Sequence, residues 1–246
     1  MRNRDLINAE KSDKRISIVY CHLIRVFDLL AFTFFQPLRS FNLYSMALAP
    51  WRSPLAHALH RNRALVYARY VQLATVRVDG RPANRTIVFR GFLEDTNHLR
   101  FIADRRSEKA GQLEVQPWGE ICWYFPKTRE QFRILGKLIV VSVDHADEAL
   151  LKARKMLWHD LSDGGRSQFA WAYPGQPKTE PLEQTTPDPL YPLPTFCLLL
   201  LEPTQVDHLE LRGEPQNRYL YSKKEYSKKD KKEPELEEWS MEEVNP

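Results

Sequence analysis

The sequence predicts a mainly β protein, built as a closed antiparallel barrel of about six strands with α-helices packed outside it. Three observations predict this class. Short apolar runs of strand length follow one another along the chain, tight turns separate them, and no strand alternates regularly with a helix as in a βαβ protein. With 246 residues, the chain is also long enough to bury a core without disulfides or metals.

The predicted elements follow a simple order along the chain. Apolar residues at helical spacing predict the helices, and runs rich in β-branched or aromatic residues predict the strands. In order, these elements are a helix at 55–69, strands at 71–78, 86–89 and 99–103, a helix at 107–116, strands at 120–125 and 130–143, a helix at 145–161, and strands at 196–201, 206–211 and 218–221.

Local signals separate these elements in the first half of the domain. The first helix begins after Ser53-Pro54, a common start signal. The first strand changes the phase of its apolar residues at Ala74-Thr75, which predicts a bulge. Asp79-Gly80 favours the hairpin turn that follows, because glycine tolerates a positive φ, and residues 95–97 supply the next turn.

Similar signals define the second half. Ser107 or Asp104 opens the second helix, which ends before Pro117. Gly136 inside the long strand predicts a bulge or bend. The proline-rich segment 162–195 is predicted to be a loop, and FCLLLL at 196–201 is typical of a strand buried on both faces.

The two ends of the chain differ from the middle. Residues 1–45 are predicted to be an N-terminal leader or a non-native extension, with Met46 as the natural start; an organelle transit segment is the alternative. The apolar stretch 16–35 contains Arg25 and Asp28, each costing about 2.5–3.5 kcal/mol at a membrane centre. Residues 46–221 form the predicted domain. Residues 222–246 are predicted to be a charged flexible tail.

Composition argues against several classes of protein. The net charge of only +4 gives no general reason to bind nucleic acid, and we expect neither a nucleic-acid nor a membrane partner. Cys21, Cys122 and Cys197 are odd in number and far apart, which disfavours a disulfide scaffold. No metal site is predicted. We expect a cytoplasmic protein, or a plastid or mitochondrial one if the first 45 residues are a transit segment.

The first candidate binding segment is a basic strand. Arg85 and Arg90 flank a β run and lie five positions apart, so on a regular strand their side chains face opposite sides. One of them could hold a phosphate while the other reaches a second anion. The alternative is that both are solvent-facing residues of an edge strand.

The second candidate segment is 104–109, where a strand end meets a helix start. Free N–H groups at a helix N-terminus attract an anion, and Arg106, Ser107 and Lys109 add charges and a hydroxyl. The alternative is an ordinary N-cap with solvated bases. Further along, Gln131 offers a donor and an acceptor, which suits the edge of a flavin ring, although most strand glutamines are simply exposed.

Four segments in this order resemble the pyridoxamine 5'-phosphate oxidase family of FMN proteins. Several motifs in the right order are more specific than any one of them. The resemblance covers about residues 50–221, is nearest to plant and cyanobacterial members with a shortened C-terminal region, and extends to the closing WSMEEVNP. The segments are NRTIVFRGF (84–92), ADRRSEK (103–109), CWYFPKTREQFRILGK (122–137) and FCLLLLEPTQVDHLEL (196–211).

The resemblance implies a six-stranded antiparallel FMN-binding split β-barrel that forms a homodimer with FMN at each subunit interface. It implies an oxidase of vitamin B6 metabolism, which converts pyridoxamine or pyridoxine 5'-phosphate to pyridoxal 5'-phosphate and reduces oxygen to hydrogen peroxide. The flavin supplies the redox chemistry. Two alternatives stay open: an FMN-binding reductase with a nicotinamide donor, and a non-catalytic protein that binds flavin or pyridoxal phosphate.

The resemblance also assigns roles to single residues. On the substrate side, Arg90 occupies the place of a lysine that reaches the substrate phosphate. The positions that match cofactor contacts are Arg85, Thr86, Ile87, Val88, Ile102, Ala103, Ser107, Lys109 and Gln131.

The chain departs from the family pattern at several positions. Glu108 stands where the best-known oxidases have an arginine, and Arg106 is the candidate replacement. The late Arg-x-His motif falls on 218–220 without its histidine, so Arg218 is the candidate residue for orienting the substrate. A tryptophan expected near residue 211 is absent. Arg166 and Ser167 match further substrate-binding residues poorly, because their spacing differs.

Overall fold

The computed structural model describes residues 48–178, 185–224 and 238–246. The predicted leader or transit segment at 1–45, with its apolar stretch at 16–35, lies outside the described residues. Within the described ranges, none of the helices combines the length and the apolar character that crossing a membrane requires.

Eight strands dominate the described part of the chain. The strands are β1 (Tyr70–Val76), β2 (Pro82–Val88), β3 (Leu99–Asp104), β4 (Trp118–Phe125), β5 (Glu130–Val141), β6 (Phe196–Glu210), β7 (Asn217–Lys223) and β8 (Trp239–Val244). The helices are α1 (Arg52–Asn62), α2 (Glu108–Val115), α3 (Glu148–His159) and α4 (Asp163–Ser167), with 3-10 turns at Val66–Arg69 and Gln168–Ala170.

The strands form one antiparallel sheet in the order β2-β1-β4-β5-β6-β7-β8, with β3 paired to β6. The first half of β6 lies between β3 and β5, and its second half lies between β5 and β7. The mainly β antiparallel class is confirmed. The antiparallel split-barrel arrangement with flanking helices is confirmed, with eight strands in the described residues. The expected closure is not, because β2 itself pairs with neither β3 nor β8 there and only the residues just after β2 meet β3, at the isolated bridge between Phe92 and Leu99.

Strand β6 explains how the core divides in two. Two separate strands were predicted at 196–201 and 206–211, but they form one continuous strand. All side chains of 196–201 are buried, which confirms burial on both faces. Cys197 and its alternate neighbours join the main core, whereas Phe196 and its alternate neighbours pack against a second cluster that contains Trp158 of α3.

Gly136 marks the predicted irregularity in β5. The register between β5 and β6 shifts between Leu135 and Gly136, so the predicted bulge is confirmed. A Cβ at this position would lie 2.0 Å from the main-chain oxygen of Glu202. Only glycine therefore allows the two strands to approach this closely.

The bulge predicted in β1 is absent. Strand β1 pairs with β2 without a break, from Tyr70 opposite Val88 to Val76 opposite Pro82. Thr75 continues the inward-facing alternation and is only 2% exposed. The predicted bulge is therefore wrong. The apolar residues changed phase in the sequence only because Thr75, a polar residue, occupies an inward-facing position as an apolar residue would.

The C-terminal segment differs from the flexible tail predicted at 222–246, because part of it forms a strand. Trp239–Val244 pairs with β7 as strand β8, and Trp239 packs edge-on against Trp51 with ring centroids 5.9 Å apart. Trp239 therefore buries apolar surface against the core. The many charged residues of 222–238 had indicated that this end of the chain has little to bury. Residues 225–237 of the predicted tail lie outside the described residues.

Candidate functional site

Arg85 lies in β2 and points its guanidinium toward β1. Its Nη1 donates to Thr75 Oγ1 at 2.5 Å and to the Leu73 main-chain oxygen at 3.3 Å, and its Nη2 donates to Gln112 Oε1 at 3.2 Å. These three hydrogen-bond partners are uncharged. The guanidinium is thus oriented by the fold while its positive charge stays available for an anion.

Thr75 and Gln112 form a second layer behind Arg85. The Thr75 hydroxyl donates to Gln112 Oε1 at 2.6 Å, which ties β1 to α2. Both side chains are buried, so these hydrogen bonds are shielded from water. Sequence reasoning missed both residues. The inward phase of Thr75 in β1 is the signal that could have found it.

The start of α2 adds a second cation. Ser107 Oγ donates to the Asp104 main-chain oxygen at 2.6 Å and makes no capping bond to the helix, while Lys109 Nζ donates to Ser107 Oγ at 3.0 Å. Burial lowers the pKa of Lys109, and the charge of Arg85 lowers it further. Two positive charges held near a helix N-terminus favour the binding of an anion there. A phosphate, with up to two negative charges, balances both cations.

Glu108 brings in a cation that sequence reasoning also missed. Its carboxylate accepts from Gln112 Nε2 at 2.8 Å and pairs with Arg77 Nε at 3.2 Å. Arg77 also contributes to lowering the pKa of Arg85 through its like charge, after the larger effect of burial. Arg77, just after β1, therefore balances the charge of Glu108, which stands where an arginine was expected and which by itself raises the pKa of Arg85.

Arg106 does not fill that place. Its Nη2 lies 2.7 Å from Asp104 Oδ2, and its Nε donates to Asp104 Oδ1 at 3.0 Å. Its Nη1 donates to the main-chain oxygen of Trp171 at 2.9 Å. Arg106 therefore fastens the segment after α4 to the end of β3, and its role as the replacement for the missing cation stays a prediction.

The stretch from Thr86 to Arg90 alternates between two faces. Ile87 is buried, whereas Thr86 is exposed and Val88 and Arg90 are half-buried on the opposite face. The predicted opposition of Arg85 and Arg90 agrees with this alternation. Arg90 Nε is buried without a hydrogen-bond partner, and burial followed by the charge of Arg69 lowers the pKa of Arg90.

Three predicted cofactor residues lie elsewhere in the sheet. The side chain of Ala103 is 4% exposed in the main core, and that of Ile102 packs on the second cluster. Their main-chain groups, at the end of β3 that precedes α2, are what they can offer to a ligand. Gln131 in β5 accepts a weak hydrogen bond from Cys122 Sγ at 3.7 Å. Strand β5 is three places from β2, about 14 Å at ordinary strand spacing, so this chain does not bring Gln131 beside Thr86.

Arg218 is held by an ion pair on the β6–β7 surface. Its Nη2 and Nε lie 2.8 Å and 3.0 Å from the two carboxylate oxygens of Asp207, which raises the pKa of Arg218. Arg133 Nη1 lies 3.5 Å from the same carboxylate. A cavity of about 120 Å³ beside this pair is lined also by Leu220, which stands where a histidine was expected.

Arg166 and Ser167 are used by the fold. Arg166 is 5% exposed and donates to the main-chain oxygens of His159 and Leu161, where α3 ends. Ser167 Oγ donates to the Asp163 main-chain oxygen at 2.9 Å. In this conformation they stabilise the end of α3 and the turn of α4, and their contact with substrate stays a prediction.

His208 lies in β6 and is only 1% exposed. Its ring stacks on Phe132 with centroids 4.0 Å apart, and its Nε2 lies 3.0 Å from Glu130 Oε2. The possible metal-ligating atoms of Glu130, His208 and Glu210 all lie within 4.8 Å of one another. The hydrogen bond to Glu130 satisfies Nε2, the stacking on Phe132 covers the ring face, and Nδ1 is buried without a hydrogen-bond partner. We assign this group a structural role.

Comparison with known proteins identifies the relatives of this chain. The family profile described as "Pyridoxamine 5'-phosphate oxidase, FMN-binding domain" matches residues 48–142. Pyridoxine/pyridoxamine 5'-phosphate oxidase 2 of Arabidopsis thaliana is 41% identical over 168 residues, which cover 67% of this chain and 85% of the relative. Pyridoxine/pyridoxamine 5'-phosphate oxidase of Xanthomonas oryzae is 31% identical over 52% of this chain and 67% of the relative.

Solved structures agree with the sequence relatives. A pyridoxamine 5'-phosphate oxidase-related, FMN binding protein from Nostoc punctiforme PCC 73102 is 60% identical, with a TM-score of 0.75 over 82% of this chain and 100% of that chain. PhzG from Burkholderia lata 383 is 17% identical, with a TM-score of 0.61 over 84% of this chain and 97% of that chain, and shows the shared fold alone. The group formed by Arg85, Ser107 and Lys109 suits the phosphate of FMN.

Proposed function

Because this chain belongs to the pyridoxamine 5'-phosphate oxidase family, we propose that it oxidises pyridoxamine or pyridoxine 5'-phosphate to pyridoxal 5'-phosphate, with FMN as cofactor and oxygen as acceptor. The observation that supports this proposal best is the pair of cations Arg85 and Lys109, held together at the start of α2 without a carboxylate bonded to either one. FMN supplies the two-electron redox chemistry when bound.

Arg85, Ser107 and Lys109 would bind the phosphate of FMN. Arg85 is oriented by Thr75 and Gln112, so it loses little side-chain entropy when an anion arrives. Charge-assisted hydrogen bonds to phosphate are about twice as strong as neutral ones, which favours these three residues as the anchor. The backbone of 86–88 would then run beside the ring system.

Arg90 would hold the phosphate of the substrate. It lies on the same face as Thr86 and Val88, and it has a buried Nε without a hydrogen-bond partner. A phosphate oxygen would supply the missing acceptor. Arg218 would orient the substrate, with Asp207 as the positioning residue that sets the direction of its guanidinium.

A homodimer is part of the proposal. Within one chain, β5 with Gln131 is three strand places from β2 with Thr86, about 14 Å along the sheet at ordinary strand spacing. A second copy packed on the exposed sheet face would bring its own polar residues to a flavin ring beside Thr86. Tyr70 and Tyr124 are 43% and 47% exposed on this face and offer apolar surface for such a contact.

One observation favours a second candidate function, a protein that binds flavin or pyridoxal phosphate without turnover. The residues expected on the substrate side are partly committed to the fold: Arg218 is paired with Asp207, Arg166 is buried, and Leu220 replaces the histidine. A site with fewer free donors binds its ligand with less control of orientation.

The test is the visible spectrum of the purified full chain together with oxygen consumption. A flavin absorption band, with oxygen uptake and hydrogen peroxide on adding pyridoxamine 5'-phosphate, supports the oxidase. Bleaching of the flavin only by NADPH would instead support the nicotinamide-dependent reductase. A yellow protein that responds to neither would support the flavin-binding protein. A colourless protein that takes up no FMN would exclude the oxidase, the reductase and flavin binding alike.

A further inference from the structure

A cavity of about 580 Å³ lies between α1, the 3-10 turn at Val66–Arg69 and residues 89–92. It shares no lining residue with the group formed by Arg85, Ser107 and Lys109. Its volume is within the range of about 300–1,000 Å³ that small-molecule sites occupy. Its large apolar lining residues are Leu55, Leu59, Leu65, Val66, Phe89 and Phe92.

The apolar lining continues to the surface. Val66 is 86% exposed, and the neighbouring Tyr67 is 53% exposed. Phe89, by contrast, is 3% exposed and belongs to the main core, where it packs against Phe92 with ring centroids 5.1 Å apart. A ligand could therefore enter past Val66 and bury its apolar part against an aromatic wall.

Cations surround this apolar space. Arg63 and Arg69 both line the cavity, and no carboxylate in the described part of the chain forms an ion pair with either one. Arg63 Nη1 donates only to His60, through its main-chain oxygen at 2.9 Å and toward its Nδ1 at 3.4 Å. Two unpaired guanidinium groups beside an apolar cavity select for a negative charge on the occupant.

The strand side of the cavity is positive as well. Arg100 Nη2 lies 3.0 Å from the place a Cβ would occupy on Gly91, a lining residue, and Arg100 Nε is buried without a hydrogen-bond partner. The charge of Arg69 also contributes to lowering the pKa of Arg90. These cations make the cavity a poor site for a neutral or cationic ligand.

We propose that this cavity binds a small amphipathic organic anion, an aromatic group with one carboxylate or phosphate. The aromatic body lies against Phe89 and Phe92, and the anionic head is held by Arg63 and Arg69. The cavity contains none of the residues proposed to bind the FMN phosphate, and its lining residues Phe89 and Gly91 flank Arg90, the residue proposed to hold the substrate phosphate. The proposed anion site does not depend on the oxidase activity. The two head groups share one chemistry, and titrations with both distinguish them.

The experiment is isothermal titration calorimetry on the full FMN-loaded chain, with 1-naphthoate and 1-naphthyl phosphate as probes. We expect one site per chain for at least one of these anions, and no binding of 1-naphthylmethylammonium, which has the same ring and the opposite charge. The visible spectrum of the flavin should stay unchanged, because a spectral change or release of FMN would place the probe in the cofactor site and overturn the proposal.

Three variants test the location. Arg63→Gln with Arg69→Gln should weaken binding about tenfold or more, because two charge-assisted contacts are lost. Ala56→Phe, at an exposed lining residue of α1, should also weaken it by filling the cavity. Arg81→Gln is the matched control, since Arg81 lies on the β1–β2 turn with a side chain 78% exposed. Absence of anion binding, or equal binding by all variants, would overturn the proposal. A second copy of the chain that fills the cavity would give the first of these results.

Discussion

Arg218 and Asp207 face each other on adjacent strands and form a two-pronged ion pair, with Nη2–Oδ2 and Nε–Oδ1 distances of 2.8 Å and 3.0 Å. The pairing register places Asp207 opposite Leu220 and Arg218 opposite Leu209, so the pair is diagonal across β6 and β7. The direction in which Arg218 points is thus decided by a residue on another strand. This gives the first prediction.

Asp207→Asn should raise the KM for pyridoxamine 5'-phosphate with a smaller effect on kcat, because Arg218 loses the partner that positions it. Stability should change by less than about 1 kcal/mol, since the pair is partly exposed. Steady-state oxygen uptake and thermal unfolding measure both effects. Glu202→Gln, which breaks the similar pair with Lys223, is the control and should leave the KM unchanged.

The affinity for FMN should fall as the pH rises through the lowered pKa of Lys109. Burial and the charge of Arg85 hold this pKa below the ordinary value of 10.5, so the ammonium becomes neutral earlier than an exposed lysine and attracts phosphate less. Quenching of flavin fluorescence from about pH 7 to 9.5 measures the dissociation constant. Lys109→Arg keeps its charge over this range and should flatten the dependence; a wild-type affinity independent of pH contradicts the assignment.

The same group has the opposite effect on the stability of the protein without FMN. The folded state binds the Lys109 proton less tightly than the unfolded chain, because its pKa is lowered on folding. The contribution of this group to the free energy of unfolding therefore rises with pH, between the folded pKa and 10.5. Urea unfolding of wild type and Lys109→Met across that interval measures the difference, which should shrink as the pH rises.

Thr75→Val should destabilise the protein by about 0.5–1.5 kcal/mol, because Arg85 Nη1 and Gln112 Oε1 each lose one of their two hydrogen bonds and keep the other. FMN affinity should fall as well, since Arg85 is no longer held in direction. Thr75→Ser keeps the hydroxyl and should bind FMN as wild type does. If valine and serine behaved alike in FMN titration, the hydroxyl would have no part in orienting Arg85.

Gly136→Ala should destabilise the protein strongly, by several kcal/mol or to the point of misfolding, because the added Cβ meets the Glu202 main-chain oxygen at 2.0 Å. Gly111→Ala is the matched control. Gly111 lies in α2 with nothing within 4 Å of an added Cβ, so alanine should stabilise by about 0.5–1 kcal/mol. Urea unfolding compares the two, and a Gly136→Ala protein of wild-type stability would refute the tight approach of β5 and β6.

Trp239→Ala should destabilise the protein by about 2–4 kcal/mol, because Trp239 packs on buried Trp51 and anchors β8. Met241→Ala in the same strand should cost less than about 0.5 kcal/mol, since Met241 is 59% exposed. Unfolding in urea again measures both variants. Equal stability of the two would mean that β8 does not depend on its contact with the core.

Much of the strand order could be predicted because its signals are local. Alternation located β3, β4 and β5 to within two residues, and glycine located the bulge at Gly136. The errors came where a residue's burial differs from what its type or its neighbours in sequence suggest. Thr75 was interpreted as a break in the pattern because a threonine can face either way, and Trp239 was obscured by the charged residues before it.

The candidate site divides in the same manner. The order of residues along the chain determined that Arg85, Ser107 and Lys109 lie at a strand and a helix start, since neighbours in sequence share an element. Only the tertiary structure decided which cations are paired with a carboxylate. Arg106, Arg166 and Arg218 each form such an ion pair, and Arg77 joins the site by pairing with Glu108. Whether a charge is free depends on the groups that folding packs around it, and several of these are distant in sequence.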